Sequence, residues 1–507
     1  MPGWAARVPL PLLLAGALAL SMAVPSIHAL GRDEHREAQT FFYSGVLLLA
    51  LIAAIATAAM RTKSSNITRS HLVALLTAFT VLPAMAALPM AGLLPDTTAL
   101  NLYFEMVAAM TTTGGSLFTP DRLSDSGHLW RAMVAWQGGF LVWVAAIAIL
   151  APLNLGGFEV ADGNTARRGA AGTAGRTRDH AANPETRVAR AVLMLAPVYA
   201  GLTALLWIIL VTAGDDATTA VIHAMSTLST SGITNAKGPA GAPSGLGGEV
   251  AVALFLVFAL SRQTFSTDMN RDRIRYLAQD RELRIAGMIV GAVTAALFLR
   301  HWIGAWEVAG PGDVGRAAGA LWGAAFTVLS YLTTTGFESA HWQEAQQWSG
   351  LGAPTVLLLG LAMFGGGVAT TAGGVKLLRI YALYAHGSRE MALLVHPHAI
   401  ERTRAGGRGI PTGGIEGAWV FFMLFATTIA GVTLALTISG LGFEEALALA
   451  VACLTTTGPL AETVLGGQGA MNALPDMAKI VAAATMVLGR LEALALIALL
   501  NPDFWRD

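Results

Sequence analysis

Four short segments put three small hydroxyl residues in front of a glycine. They are Met110-Thr111-Thr112-Thr113-Gly114, Leu228-Ser229-Thr230-Ser231-Gly232, Leu332-Thr333-Thr334-Thr335-Gly336 and Leu454-Thr455-Thr456-Thr457-Gly458, with glycines 118, 104 and 122 residues apart. Non-helical backbone at membrane depth leaves carbonyl oxygens unpaired, which is tolerated only where that backbone is buried or lines a water-filled cavity. Four such loops on one axis offer rings of oxygens that replace the hydration shell of a monovalent cation. Glycine lacks a Cβ and accepts positive φ, so it lets backbones approach such an axis. The candidate ligands are therefore Thr112, Thr113, Gly114, Thr230, Ser231, Gly232, Thr334, Thr335, Gly336, Thr456, Thr457 and Gly458. One copy would read as a turn or helix cap; four copies in matching positions point to a pore. Glu338 and Glu462 follow only two of the loops, so no acidic ring marks a divalent-cation filter.

The elements that must hold these loops follow from composition. Of 507 residues 54% are hydrophobic and 13% charged, against about 25% charged in an average soluble domain, and mean hydropathy is +0.58. A soluble enzyme is excluded. Lys+Arg and Asp+Glu both number 32, so nothing points to nucleic acid, and the single cysteine, Cys453, allows no internal disulfide. A span needs roughly 20 apolar residues, and ten runs qualify: 8–30, 41–60, 70–94, 129–152, 191–213, 248–267, 285–303, 351–380, 415–440 and 475–500. Ser26-Ile27-His28-Ala29 resembles a signal-peptidase site, so a cleaved leader is the alternative for the first run.

Stretches between the runs alternate in charge. Segments 61–71, 157–190, 262–284 and 376–408 hold 21 Lys+Arg against 7 in 31–40, 115–131, 233–247, 300–317 and 337–350. The positive-inside rule places the first set and both termini in the cytoplasm, and all four loops outside. Apolar stretches too short to span precede each loop (98–110, 217–228, 318–331 and 443–454). The expected fold is an all-α polytopic membrane protein with four pseudo-symmetric repeats, each span, pore helix, loop, span, around one pore. Its parts are an N-terminal hairpin (1–69), repeats at 70–156, 191–267, 285–380 and 415–507, and cytoplasmic loops at 157–190, 268–284 and 381–414.

The run 351–380 would be about 45 Å long as one straight helix, and it contains Gly365-Gly366-Gly367 and Gly373-Gly374. Each such glycine costs a helix roughly 1 kcal/mol against Ala, so a break within the membrane is expected, with close helix packing as the alternative. Arg490, about fifteen residues into the last run, must face water or a partner at that depth. Glu492, two residues on, lies on the far side of a helix and cannot readily pair with it. Arg490 is expected to repel cations and hold the Gly-rich segment through its carbonyls. Lys376 and Arg379 read as interfacial snorkels or as inner-vestibule groups. Asp215-Asp216 and Glu444-Glu445 read as helix N-terminal caps, Glu105 as a support for the first loop or a cation attractor, Cys453 as packing, and His396-Pro397-His398 as solvated loop.

The four loops resemble the filters of the Trk/Ktr/HKT potassium-transporter superfamily, and the extra hairpin resembles its bacterial TrkH-type branch. Further matches are Tyr103-Phe104-Glu105, Trp136-Gln137-Gly138-Gly139, Gly373-Gly374-Val375-Lys376-Leu377-Leu378-Arg379, Val395-His396-Pro397, Gly489-Arg490-Leu491-Glu492 and Asp503-Phe504-Trp505-Arg506. The resemblance implies potassium uptake across the bacterial cytoplasmic membrane, with potassium as the substrate at the loops and no cofactor in this chain. It implies a homodimer in lipid with one pore per protomer, gated by a cytosolic TrkA-type nucleotide-binding ring, so that nucleotide or NAD enters only through a partner. It also implies that Gly365, Gly366, Gly367, Thr370, Thr371, Gly373, Gly374, Lys376 and Arg490 form an intramembrane gate below the filter. Two loops depart from the family: Ser231-Gly232-Ile233-Thr234 stands where Gly-Gly-Phe-Ser is common, and Thr455-Thr456-Thr457 where Asn is frequent. Each loop has one glycine where a TVGYG potassium-channel loop has two, which implies fewer ion sites and looser discrimination. The alternative on the same fold is proton- or sodium-coupled potassium symport. An inverted-repeat transporter needs two repeats of opposite topology, and an intramembrane enzyme needs a nucleophile–base pair that His223 does not complete.

Overall fold

The computed structural model describes residues 9–59, 67–151, 157–158, 160, 184–235, 238–261, 280–304, 314–396 and 412–492. Apolar runs in lipid must satisfy their backbone groups internally, and every regular element among these residues is helical. Seven helical spans there are long and apolar enough to cross a membrane: Leu10–Gly31, His35–Ala58, Val73–Leu93, Asp125–Leu150, Arg187–Thr212, Arg281–His301 and Gly414–Ile438. The other three expected runs take different forms. One is helical over Gly245–Leu256 with a tighter turn to Leu260, and one is helical over Asp476–Leu491, its remainder lying outside the described residues. The run 351–380 is broken: helix Pro354–Phe364, the twelve non-helical residues 365–376, then helix Leu377–Val395. Most of the expected cytoplasmic loops, Pro397-His398 and Asp503–Arg506 lie outside the described residues.

The N-terminal hairpin is α1 (Leu10–Ser21), α2 (Ala23–Gly31) and α3 (His35–Ala59), with α1 and α2 meeting at Met22. Repeat one is α4 (Ile67–Leu93), α5 (Ala99–Met110) and α6 (Asp125–Ala145); repeat two is α7 (Pro184–Thr212), α8 (Ala217–Ser229) and α9 (Gly245–Leu256). Repeat three is α10 (Arg281–Gly304), α11 (Val314–Leu332), α12 (Trp342–Ser349), α13 (Pro354–Phe364) and α14 (Leu377–Val395). Repeat four is α15 (Thr412–Ile438), α16 (Phe443–Leu454), α17 (Gly458–Leu465) and α18 (Asp476–Leu491). Two of the short helices begin where a small polar side chain accepts an otherwise unpaired N–H. Thr98 accepts from Asn101 N at 3.3 Å ahead of α5, and Asp216 accepts from Thr218 N at 3.0 Å ahead of α8. Glu444 and Glu445 occupy the first turn of α16, where the positive end of the helix dipole favours them. Asp215 instead accepts from Ser244 N at 2.8 Å and ties α8 to the start of α9.

The packing order makes these units a ring. Each repeat lays the helix after its loop against the short helix of the next repeat: α6 on α8, α9 on α11, α13 on α16, and α18 back on α5. A head-to-tail contact that closes after four units defines a pseudo-fourfold axis. The hairpin stands outside the ring, with α1 and α3 against α4 and α2 against α6.

Candidate ion-conducting site

Each of α5, α8, α11 and α16 ends in the same hydroxyl pattern. The first hydroxyl of each loop donates back to the helix: Thr111 to Val107 O at 2.7 Å, Ser229 to Met225 O at 2.8 Å, Thr333 to Leu329 O at 3.0 Å and Thr455 to Val451 O at 2.8 Å. The same hydroxyl meets the third one of its own loop, in the pairs Thr111–Thr113 (2.8 Å), Ser229–Ser231 (3.1 Å), Thr333–Thr335 (3.2 Å) and Thr455–Thr457 (3.1 Å). Between them the second residue is left-handed: φ is 55° at Thr112, 55° at Thr230, 58° at Thr334 and 55° at Thr456. A β-branched residue in that region is strained by roughly 1–2 kcal/mol. The other described non-glycine residues with positive φ are Ala369, Lys376, Glu492 and Asp33, so backbone strain gathers at the loops, the Gly-rich segment and the end of the last helix, as it does at functional sites.

The bend has a chemical result. Thr112, Thr230, Thr334 and Thr456 are at most 1% exposed, yet among the described residues no donor reaches their carbonyl oxygens. Buried carbonyls are nearly always paired, so four unpaired ones at equivalent positions form a polar lining. The Oγ1 atoms of Thr112 and Thr456 are also buried without a partner among the described residues. The glycines show that these loops meet. A Cβ at Gly114 would overlap the Ser231 carbonyl, and one at Gly232 the Thr335 carbonyl. One at Gly336 would lie 2.9 Å from the Pro459 ring, and one at Gly458 would strike Gly115 and the Thr113 carbonyl. The loops thus follow one another one–two–three–four–one around the axis already set by the helices.

The Gly-rich segment lies against the hydroxyl side of this ring. Gly373 N donates to Thr334 Oγ1 at 2.8 Å, and Thr371 Oγ1 donates to Leu228 O at 3.2 Å. A side chain at Gly373 would overlap the Thr455 carbonyl and Thr456 Oγ1, which is why this position needs glycine. From α18, Arg490 Nη1 donates to Thr371 O at 2.7 Å, while its Nε and Nη2 have no hydrogen-bond partner among the described residues. Arg490, Thr370, Thr371 and Lys376 are all buried, and Lys376 Nζ donates within the segment, to Ala372 O.

Residues 250–503 match the TrkH family, described as a cation transport protein. The Trk system potassium uptake protein TrkH of Salmonella typhimurium is 30% identical over 433 residues, 85% of this chain and 84% of that one. The chain belongs to the TrkH family. The Trk system potassium uptake protein TrkI of Halomonas elongata is 29% identical over 431 residues, covering 84% of this chain and 81% of its own. The crystal structure of the potassium transporter TrkH from Vibrio parahaemolyticus superposes with a TM-score of 0.79 at 25% identity, over 100% of both chains. This TrkH-family chain is a multi-pass membrane protein and not an enzyme.

The structure corrects some sequence expectations. Arg379 is no interfacial snorkel: it is fully buried, its Nη2 lies 2.8 Å from Glu492 Oε2, and its guanidinium sits 3.7 Å from the Phe421 ring centroid. Lys376 is likewise inside, 5% exposed. Arg490 and Glu492 do take separate partners, as their spacing requires. Glu105 is a support and not a cation attractor, because it is enclosed. It accepts from Ser116 Oγ at 3.0 Å and Leu117 N at 2.9 Å and pairs with Arg131 at 2.6 Å. Cys453 is buried in the core beside the fourth loop.

Two carboxylates, Glu249 and Glu282, escaped the sequence reading of this TrkH-family chain, and a third, Glu462, was read there only as evidence against an acidic ring. Glu249 accepts from Trp322 Nε1, Ser339 Oγ and Ala340 N, each at 2.7 Å, and does for the third loop what Glu105 does for the first. Glu282 accepts from Val368 N at 2.7 Å and anchors the Gly-rich segment from α10. Glu462 accepts from Ser116 N at 3.0 Å and lines a small cleft with Gly114, Gly232, His128 and Arg131. An acidic residue inside or beside an apolar run is the available signal, and Glu249 carries it plainly.

Proposed function

We propose that this chain takes up potassium across the bacterial cytoplasmic membrane through a gated, channel-like pore on the ring axis. The observation that carries this reading is the set of four unpaired, buried carbonyls at Thr112, Thr230, Thr334 and Thr456 in loops that touch in cyclic order. Oxygens in that arrangement replace the water around a monovalent cation. The short helices α5, α8, α11 and α16 aim their C-termini, the partially negative ends, at the same place. With Thr113, Gly114, Ser231, Gly232, Thr335, Gly336, Thr457 and Gly458 these residues form the selectivity filter, facing outward. The names of the relatives, potassium uptake proteins and a potassium transporter, agree with the substrate.

The segment from Gly365 to Gly374, with Gly366, Gly367, Thr370, Thr371, Gly373 and Lys376, is the proposed gate, held beneath the filter by Arg490. The distribution of basic residues supports cytoplasmic termini. On the same reading the chain works as a homodimer, and a cytosolic TrkA-type ring brings the nucleotide that this chain does not bind.

Rubidium uptake into vesicles containing the purified protein tests the filter. G232D and G336V remove flux while the protein still reaches the membrane, because each places atoms where a neighbouring loop already stands. Normal flux in both variants would refute the filter assignment.

A further inference from the structure

The fourth loop breaks the symmetry of the other three. Gly114, Gly232 and Gly336 have φ of 79°, 68° and 82° and lead into extended chain, whereas Gly458 opens α17 with Pro459 in its first turn. Proline suits that place because its φ is already helical and its missing N–H would have no helical partner. Two carbonyl oxygens each take a backbone donor as a consequence. Gly458 N donates to Thr113 O at 2.6 Å, and Leu460 N donates to Thr457 O at 3.1 Å. At the level of Thr113, Ser231, Thr335 and Thr457, only the Ser231 and Thr335 carbonyls are left without a donor among the described residues. The proline ring stands against the same two loops: a Cβ would lie 2.8 Å from Pro459 Cγ at Gly232 and 2.9 Å from it at Gly336.

We propose that Pro459 is a specificity-determining residue: its ring walls one side of the outer end of the filter where a fourth oxygen-bearing strand would otherwise stand. This rests on the reading of the four loops as the filter. A cation entering there meets two open carbonyls and an apolar face, so it must shed water before it reaches the complete ring at Thr112, Thr230, Thr334 and Thr456. Sodium holds its water more tightly than potassium, and a mouth too narrow for a hydrated ion therefore selects against sodium. The discrimination comes from what the wall excludes, as much as from what the oxygens bind.

The test is competitive uptake of rubidium against sodium in vesicles containing wild type, P459A, P459V, G232D or G336V. Removing the ring in P459A is expected to lower the preference for rubidium about tenfold, the effect of a small change in a selective pocket. P459V keeps apolar bulk at the site and stays within about twofold of wild type, as volume-conserving changes do. A P459A protein that transports with the wild-type ratio overturns the proposal. So does P459V falling as far as P459A, or the loss of all flux or of the protein itself in both variants, since each makes Pro459 a framework residue. G336V, with G232D beside it, separates the two readings: if both transport normally, the filter assignment fails whatever Pro459 does.

Discussion

The contact between Arg490 and the Gly-rich segment predicts a leak. In R490A the Thr371 carbonyl loses its charged donor at 2.7 Å, and a hydrogen bond to a charged group contributes about 1.5–3 kcal/mol. If that bond holds the segment only in its obstructing position, its loss favours the open arrangement by about ten- to hundredfold. Other restraints remain: Glu282 on Val368 N at 2.7 Å, Thr334 Oγ1 on Gly373 N at 2.8 Å, and Thr371 Oγ1 on Leu228 O at 3.2 Å. Because they persist, the low end, about tenfold, is the expected rise in basal flux. Removing a buried positive charge beside the proposed cation path acts in the same direction. The assay is the initial rate of rubidium entry into vesicles at matched protein content, without any partner. R490K retains the charge but loses the planar fork, and should fall between wild type and R490A. Flux in R490A equal to or below wild type would refute the reasoning.

The buried Arg379–Glu492 pair should be structural first. R379M strands a carboxylate and is expected to lower stability by about 3–5 kcal/mol, seen as a drop in Tm of the detergent-purified protein, while R379M/E492Q recovers part of the loss; equal Tm values for the single and double variants would argue against the pair. On the outer side of the proposed filter, burial pushes Glu462 up to about 7, against the smaller opposing effects of Ser116 N–H and Arg131. Below that pH its carboxyl is protonated and the outer mouth loses a negative charge, so rubidium uptake at subsaturating concentration should rise as external pH goes from 6 to 8, about one unit either side of the titration. E462Q should flatten that slope, and a wild-type slope in E462Q would exclude Glu462 as its source. Arg131, paired with the enclosed Glu105, and His128 line the same cleft, so E462Q is the variant that isolates the group.

The loops and the broken helix were legible in the chain because membrane depth makes local pattern strict. A TTTG segment after a stretch too short to span leaves carbonyls that only a cavity can accept, and glycines at five of the ten positions from Gly365 to Gly374 cannot hold a helix. Arg490 was legible for a similar reason: a charge at that depth must find a polar partner, and the Gly-rich carbonyls were the nearest candidates by motif. Partners in other repeats were not. Glu282 meets Val368 across 86 residues and Arg379 meets Glu492 across 113; no periodicity or spacing joins such positions. Arg379 in particular sits where a snorkelling side chain would look the same in sequence.

Sequence alone determined the class of the protein, the four repeats and the hydroxyl–glycine segments, since hydropathy, charge alternation and backbone chemistry act along the chain. Only tertiary structure decided the cyclic order of the loops, the pairing of the buried charges and the departure of the fourth loop at Gly458-Pro459. Those depend on which surfaces close around a common axis, and a ring of four units is defined by contacts between residues that the chain itself keeps far apart.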